Sequence, residues 1–197
     1  MTPLILASSS NVRRQLLANA GISVEVIAAP IDERLLEVPM IAAGASPADI
    51  AAMLAEAKAV AVSALAPAAL VIGADQTLDL DGERFTKPVD IEDARRHLMT
   101  LSGKTHFLQS AVTVACSGEV VWQHIEAPRL AMRTLTESEV DRYLAEVGGA
   151  ALSSVGCYQI EGPGIRLFER IEGDYFSVLG LPLLPLISFL RRQGAVE

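Results

Sequence analysis

Residues 70–86 of this 197-residue chain read LVIGADQTLDLDGERFT, and most of the predicted architecture follows from this segment. Leu70–Ala74 is a continuous apolar run, which is typical of a strand that is buried on both faces. Apolar and polar residues then alternate from Thr77 to Leu80, and Asp81-Gly82 is a dipeptide typical of tight hairpin turns. We therefore predict a central strand that ends at Asp75 and a hairpin that returns over 83–86.

The segments on either side of this strand alternate between strand and helix patterns. Leu4–Ala7 is a short apolar run, and a serine loop leads from it into a helix that Ser10 or Asn11 can cap and Gly21 can end. Further predicted elements are helices over 47–65, 91–101, 136–147 and 183–192, two long paired strands over 105–116 and 120–133, and a loop over 156–164. The pattern predicts an α/β fold with a mixed, largely continuous sheet flanked by helices.

Composition limits the class of protein. The 24 acidic residues exceed the 16 Lys and Arg and give a net charge of −8, which disfavours a protein that binds extended nucleic acid through many phosphate contacts. With 51% hydrophobic residues, the length fits a single domain over residues 1–197. No signal peptide or membrane span is predicted, and Cys116 and Cys157 form no metal or redox motif. We expect a cytoplasmic protein without a membrane partner.

The serine loop of residues 8–10 is the first candidate binding site. Arg13 and Arg14 lie in the first turn of the following helix, where cations oppose the helix dipole. Hydroxyl groups, helix-terminal N–H groups and two guanidinium groups together suit a phosphate. The alternative is a capped surface helix with solvated arginines.

Asp75 is the second candidate, because ligands of open α/β sheets collect beyond the carboxyl ends of strands. A carboxylate there can take a proton from water or hold a divalent metal, and the alternative is an Asp that only forms a turn. Lys58 lies near the edge of the apolar face of its predicted helix, from which its side chain could reach such a site. Glu33 lies in a predicted loop, and Lys87 precedes a proline. Each of them is either a site residue or an exposed surface residue.

The chain carries none of the common nucleotide or hydrolase motifs. There is no Walker loop, Rossmann fingerprint or Ser-His-Asp order, and none of the three histidines has metal-ligand spacing. The residues alone therefore predict an α/β domain with a candidate phosphate site and go no further.

Six ordered stretches resemble the Maf-like nucleoside triphosphate pyrophosphatases over nearly the whole chain. They are LILASSSNVRRQLL (4–17), IDE (31–33), LAEAKA (54–59), VIGADQTLDLDGERFTKP (71–88), LSGKTH (101–106) and GDYFSVLGLPL (173–183). The resemblance implies a Maf and inosine-triphosphatase-like fold with a central cleft. It also implies a cytoplasmic enzyme that cleaves a nucleoside triphosphate between its α and β phosphates with the help of a divalent cation, Mg²⁺ or Mn²⁺.

The resemblance also implies roles for individual residues. Asp75 matches the proposed proton acceptor of the family, and Glu33 is expected to hold the metal together with Asp75. The expected phosphate-binding and substrate-binding residues are Ser8, Arg13, Arg14, Lys58 and Lys87. Water attack on a phosphoryl group needs orientation and charge neutralisation more than covalent catalysis, which agrees with this clustering of cations.

The branch of the family is indicated by a few positions. Val12 shifts the arginine pair into the register of the branch that acts on 7-methyl-GTP, and Gln76 and the run 160–173 also resemble that branch. Glu161 can accept hydrogen bonds from a guanine-type base edge, so we expect a purine or modified nucleotide, while a broad specificity is the other interpretation. A nucleotide-binding regulator of cell division with little turnover is the alternative function. The apolar C-terminal segment fits a core or a homodimer contact.

Overall fold

The computed structural model describes residues 2–197, which form eight strands and seven α-helices. The strands are β1 (Leu4–Leu6), β2 (Glu25–Val26), β3 (Leu70–Leu80), β4 (Glu83–Phe85), β5 (Thr105–Cys116), β6 (Glu119–Glu126), β7 (Arg129–Met132) and β8 (Phe168–Glu172). The helices are α1 (Asn11–Asn19), α2 (Glu33–Ala42), α3 (Pro47–Leu65), α4 (Ile91–Leu101), α5 (Glu137–Val147), α6 (Tyr175–Val178) and α7 (Leu183–Arg192). Two 3₁₀ helices, Gly148–Ser153 and Pro163–Leu167, complete the described chain.

The strands belong to one mixed sheet, as the sequence pattern predicts. The order is β2-β1-β3-β5-β7-β8, and β4 pairs with β3 while β6 pairs with β5. β1 pairs in parallel with β2 and β3, whereas the β3–β4, β5–β6, β5–β7 and β7–β8 pairs are antiparallel. The predicted hairpin after the central strand is the β3–β4 pair. The prediction of a mixed α/β fold with a largely continuous sheet is confirmed.

Three local predictions are wrong, each for a simple physical reason. β3 does not end at Asp75 but continues to Leu80, because the alternation of side chains lets the backbone remain extended through the polar residues. The long strand predicted over 120–133 is two strands, β6 and β7, separated by residues around Pro128. Glu33 is not in a loop: it is the first residue of α2, which Asp32 caps. α2 has no buried residue and contains Pro39, so its sequence lacks the usual helix signature.

The chain divides into two compact units by the clustering of its contacts. The first unit contains the described residues up to Gln76 together with 109–127 and 174–197. On one side of its strands, a core cluster joins Leu6 and Ile72 to Leu17 of α1 and Leu186 of α7. On the other side, the alternate residues of β1 and β3 pack against α3, with Ile5, Val71 and Val62 in one cluster. This alternation follows from the two-residue period of a strand.

The second unit contains residues 77–108 and 128–173. Its helices α4 and α5 bury Leu98, Leu101 and Leu144, and Arg95 of α4 forms ion pairs with Glu137 and Asp141 of α5. No helix among residues 2–197 combines the length and the apolar character that crossing a membrane requires.

Gly73 allows helix α3 to approach strand β3 closely. A Cβ atom at this position would lie 2.2 Å from the carbonyl oxygen of Ala55 and 2.9 Å from the Cβ of Ala59. The small residues on both elements therefore permit backbone contact, and this contact lies one residue along the helix from Lys58 and two residues along the strand from Asp75.

The Gly73→Ala variant is expected to be less stable by about 1–3 kcal/mol, because the helix must move away from the strand to make room for the methyl group. Urea unfolding of the variant beside a Gly149→Ala control measures the difference. Gly149 has no atom within 4 Å of its would-be Cβ. Equal midpoints for Gly73→Ala and the parent chain would show that the contact is not tight.

His106 of the second unit is fully buried and makes stability depend on pH. Its Nε2 lies 2.6 Å from the hydroxyl oxygen of Tyr158, and its Nδ1 has no hydrogen-bond partner among residues 2–197. Burial lowers the pKa of His106 to about 4. The unfolded chain therefore binds a proton near pH 6.5 that the folded chain does not bind until the pH approaches 4, so stability falls across that window as the pH is lowered.

We expect that this histidine accounts for about 3 kcal/mol of unfolding free energy lost between pH 7 and pH 4. The His106→Gln variant should lose less stability than the parent chain over the same range, as measured by urea unfolding at several pH values. Parallel curves for His106→Gln and the parent chain would contradict the assignment.

Candidate active site

Lys58, Asp75 and Glu33 form the charged centre of the candidate site. The Nζ atom of Lys58 lies 2.6 Å from Oδ1 of Asp75 and 2.9 Å from Oε1 of Glu33. The side chains of Lys58 and Asp75 are 10% and 13% exposed, while that of Glu33 is 49% exposed. Three consecutive elements, α2, α3 and β3, thus bring one cation between two carboxylates.

The fold places Asp75 where the parallel part of the sheet stops. β1 pairs with β3 only as far as Ile72, and the backbone N–H of Ala7 still donates to the carbonyl of Ile72. Beyond this point the serine loop leaves β1, while β3 continues and presents Asp75 toward Lys58. Asp75 therefore lies beyond the carboxyl end of a parallel strand pair, where ligands of α/β sheets collect.

Arg13 connects the serine loop to this region. Its Nη1 donates to the carbonyl of Ala74 at 2.8 Å and to Oγ of Ser8 at 3.2 Å, and its Nε donates to the carbonyl of Gly180 at 2.8 Å. Burial lowers the pKa of the Arg13 guanidinium, and the negative charges of Asp75 and Glu33 oppose that shift. A guanidinium held by three acceptors is rigid, and its Nη2 atom makes no described hydrogen bond to residues 2–197.

Ser8 and Ser10 shape the start of α1. Ser8 is buried, and its hydroxyl oxygen accepts from the backbone N–H of Ser10 at 3.3 Å. Ser10 is the N-cap, since its hydroxyl oxygen accepts from the backbone N–H of Arg13. The sequence prediction of a serine-capped helix at this point is confirmed, and Gly21 has the predicted left-handed conformation with φ of 74°.

A second group of polar contacts surrounds Gln76 and was not predicted from the sequence. The Nε2 atom of Gln76 donates to Oγ of Ser110 at 2.7 Å and to the carbonyls of Ser177 and Val178 at 3.1 Å each. Ser110 in turn donates to the carbonyl of Ser177 at 2.6 Å. The acceptors are mostly backbone carbonyls, and the only signal in the sequence was the position of Gln76 next to Asp75.

Gly180 completes this arrangement. It has φ of 91°, and a Cβ atom there would lie 3.4 Å from Nη2 of Arg13 and 3.6 Å from Cδ of Gln76. A residue with a side chain would be strained in this left-handed backbone conformation. The absence of a side chain also leaves Arg13 and Gln76 in their positions.

Three of the predicted site residues are not joined to this cluster by any described contact. Arg14 is exposed and lines a pocket with Ala18, Gly21, Ile22, Ser23 and Val24, none of which belongs to the cluster. Lys87 is exposed between β4 and α4, and Glu161 is exposed just before the second 3₁₀ helix. Both belong to the second unit. The roles of these three residues stay predictions.

The carboxylates suit a divalent cation such as Mg²⁺. Among residues 2–197, no group of three or more His, Cys, Asp or Glu side chains could hold a metal ion. Mg²⁺ commonly takes only one or two protein carboxylates in addition to substrate phosphates and water. Asp75 and Glu33 both bind the same ammonium group, so these two carboxylates lie close together, as the ligands of one cation must.

Comparison with known proteins places the chain in a family. Residues 3–193 match the family described as Maf-like protein. The chain belongs to the Maf family. This Maf-family chain is 56% identical over 198 residues to a 7-methyl-GTP pyrophosphatase of Rhizobium johnstonii, with 100% of both chains covered. It is 54% identical over 194 residues to a 7-methyl-GTP pyrophosphatase of Mesorhizobium japonicum, with 98% of both chains covered.

A relative with a broader name is nearly as similar to this Maf-family chain. The nucleoside triphosphate pyrophosphatase of Granulibacter bethesdensis is 50% identical over 193 residues, with 98% of both chains covered. The predicted resemblance to the Maf-like pyrophosphatases is thus confirmed at the level of the family.

Proposed function

We propose that this protein is a nucleoside triphosphate pyrophosphatase that hydrolyses 7-methyl-GTP to 7-methyl-GMP and pyrophosphate. The observation that carries the proposal is the convergence of Lys58, Asp75 and Glu33, with Arg13 held by the carbonyl of the residue before Asp75. Similar chains that are full-length matches carry this activity in their names. No observation favours the alternative, a regulator with little turnover.

The geometry supports a direct attack by water. In this mechanism Asp75 orients a water molecule and accepts its proton, and the water oxygen forms a bond to the α-phosphorus. The bond from that phosphorus to the bridging α–β oxygen breaks, and its electron pair leaves with pyrophosphate. Arg13 and Lys58 stabilise the phosphate oxygens, on which negative charge is concentrated in the transition state.

Lys58 can gain a third partner when the triphosphate binds. In the structure two of its contacts are to carboxylates, and its ammonium group has a third hydrogen to donate. A phosphate oxygen can take this hydrogen without breaking either ion pair. Lys58 then links the substrate to the residue that activates water.

Glu33 and Asp75 are the residues that would hold a divalent cation. Such a cation, when bound, neutralises charge on the phosphate oxygens. Glu33 suits the task because it is half exposed and lies at the first position of α2, on the same ammonium group as Asp75. Measuring turnover with each metal shows whether Mg²⁺ or Mn²⁺ supports the reaction.

The other predicted binding residues have roles in the same reaction. Arg14 and Lys87 supply further cations for the phosphates, and Glu161 accepts hydrogen bonds from the base. The protein is a cytoplasmic domain that spans residues 1–197 and acts on a free nucleotide. Both cysteines are free, which agrees with a reducing compartment.

The test is incubation with 7-methyl-GTP, GTP, ATP, dTTP and UTP, each with Mg²⁺, with Mn²⁺ or with EDTA. We expect equal amounts of monophosphate and pyrophosphate, the highest kcat/KM with 7-methyl-GTP, and no turnover in EDTA. Orthophosphate as the only product would overturn the assignment of the cleaved bond. Equal kcat/KM for all five nucleotides would overturn the assignment of the substrate but not of the reaction.

A further inference from the structure

The segment 177–180 holds two side chains of the candidate site by its backbone. The carbonyls of Ser177 and Val178 accept from the Nε2 atom of Gln76, and the carbonyl of Gly180 accepts from the Nε atom of Arg13. The orientation of the Arg13 guanidinium therefore depends on the position of this segment as well as on Ser8 and Ala74, its other two acceptors. We call residues 177–180 the carbonyl clamp.

The carbonyl clamp needs contacts with other elements to keep its position. It begins in α6, a helix of only four residues, and such short helices are not stable without contacts to other elements. Asp174 caps α6, because its Oδ2 atom accepts from the backbone N–H of Ser177 at 2.8 Å. This local contact fixes the turn but does not fix it relative to the sheet.

Glu126, at the end of β6, supplies a further side-chain contact to the sheet, beside those of Ser110 in β5 and Gln76 in β3. Its Oε2 atom lies 2.6 Å from the hydroxyl oxygen of Ser177, whereas Oδ2 of Asp174 lies 3.0 Å from the same oxygen. A hydroxyl group has one hydrogen to donate, and the shorter distance assigns it to Glu126. Hydrogen bonds to a carboxylate are about twice as strong as those between neutral groups.

The other oxygen of Glu126 is also engaged. Its Oε1 atom lies 3.1 Å from Nε2 of His124, so both ends of the carboxylate are held. Ser177 is fully buried and is 51 residues from Glu126 in the sequence, so this contact is a tertiary one.

We infer that Glu126 is a positioning residue for the reaction: through Ser177 and the carbonyl clamp, it sets the orientation in which Arg13 meets the phosphates. The inference rests on the proposed function, because it takes Arg13 as a phosphate-binding residue. Glu126 itself contacts no reacting atom in this mechanism. A purely structural role would lower the amount of folded protein and leave the KM of the remaining enzyme unchanged, whereas a positioning role changes KM.

The Glu126→Ala variant tests the inference. We expect about a tenfold increase in KM for 7-methyl-GTP, equivalent to a loss of about 1.4 kcal/mol of binding, because a displaced Arg13 guanidinium binds the phosphates of the substrate less tightly. Glu126→Gln should restore most of the loss, because its amide oxygen can still accept from Ser177. Glu119→Ala is the matched control on the same strand, since Glu119 is exposed and has no described side-chain partner among residues 2–197. An unchanged KM for Glu126→Ala would overturn the inference.

A double-mutant cycle with Arg13 tests the route of the effect. If Glu126 acts through Arg13, then Glu126→Ala has no further effect on kcat/KM in the Arg13→Ala background. Additive losses in the double variant would mean that Glu126 acts by another route, which also overturns the inference. Ser177→Ala removes the hydroxyl group that donates to Glu126. If Glu126→Ala does not fold, Ser177→Ala replaces it in the double-mutant cycle.

A binding measurement separates failure of this inference from failure of the proposed function. The ligand is a 7-methyl-GTP analogue with a methylene group in place of the α–β bridging oxygen, and calorimetry gives its Kd. Glu126→Ala should bind it about tenfold more weakly than the parent chain, whether or not the parent chain turns over nucleotide. A parent chain that binds the analogue but releases no pyrophosphate overturns the proposed function alone. Equal Kd values for both chains overturn the positioning role alone.

Discussion

Replacing Asp75 by Asn should lower kcat by about 10²–10⁴-fold, the range typical for loss of a general base. The amide keeps the shape of the side chain and an oxygen that can accept from Lys58, but it cannot take a proton from water. Lys58 also keeps its ion pair with Glu33, so the variant should remain folded. Initial rates of pyrophosphate release at saturating 7-methyl-GTP measure the effect.

A matched control for this substitution lies six residues further along the chain. Asp81 is an exposed turn residue with φ of 55°, a conformation that Asn also accepts, so Asp81→Asn should leave both stability and kcat unchanged. If Asp75→Asn keeps more than a tenth of the parent kcat while Asp81→Asn behaves as expected, Asp75 is not the group that activates water. Thermal unfolding of both variants ensures that the comparison concerns folded protein.

Helix caps and apolar spacing predicted several helix boundaries correctly, because the residues that form each of these signals are close together in the sequence. Ser46 and Asp49 form the expected capping box at the start of α3, and α7 has the bounds that its apolar spacing indicates. The serine-capped start of α1 is of the same kind, since one hydroxyl group and one turn decide it. In each case the interacting groups are neighbours in the chain.

The parts of the site that the sequence did not predict depend on distant contacts. The ion pair between Glu33 and Lys58 joins α2 to α3, and α2 has no buried face that would indicate a helix in the sequence. The carbonyl clamp also cannot be predicted from the sequence, because every residue has a backbone carbonyl group. Ser177 and Glu126 are ordinary residue types, and only the three-dimensional structure shows that they meet.

The charges of the cluster are the reason to expect a large effect when either cation is removed. Arg13 and Lys58 carry two positive charges, and Asp75 and Glu33 carry two negative charges, so the four groups balance before any nucleotide arrives. A triphosphate brings several further negative charges into this region, and the nearby carboxylates repel them. Removing either cation therefore leaves a cluster that repels the substrate, whereas the same loss on an open surface would be screened by solvent.

Lys58→Met is consequently expected to lower kcat/KM by about 10²–10³-fold, the range observed when a single group that stabilises transition-state charge is lost. Met keeps much of the apolar length of the lysine side chain along α3, so packing next to Gly73 should be preserved. Lys104→Met is the control, because Lys104 is exposed and makes no described ion pair among residues 2–197. The measurement is kcat/KM for 7-methyl-GTP with saturating Mg²⁺. A loss of less than threefold would show that Lys58 serves only to pair Asp75 with Glu33, and that Arg13 alone stabilises the charge that develops on the phosphates.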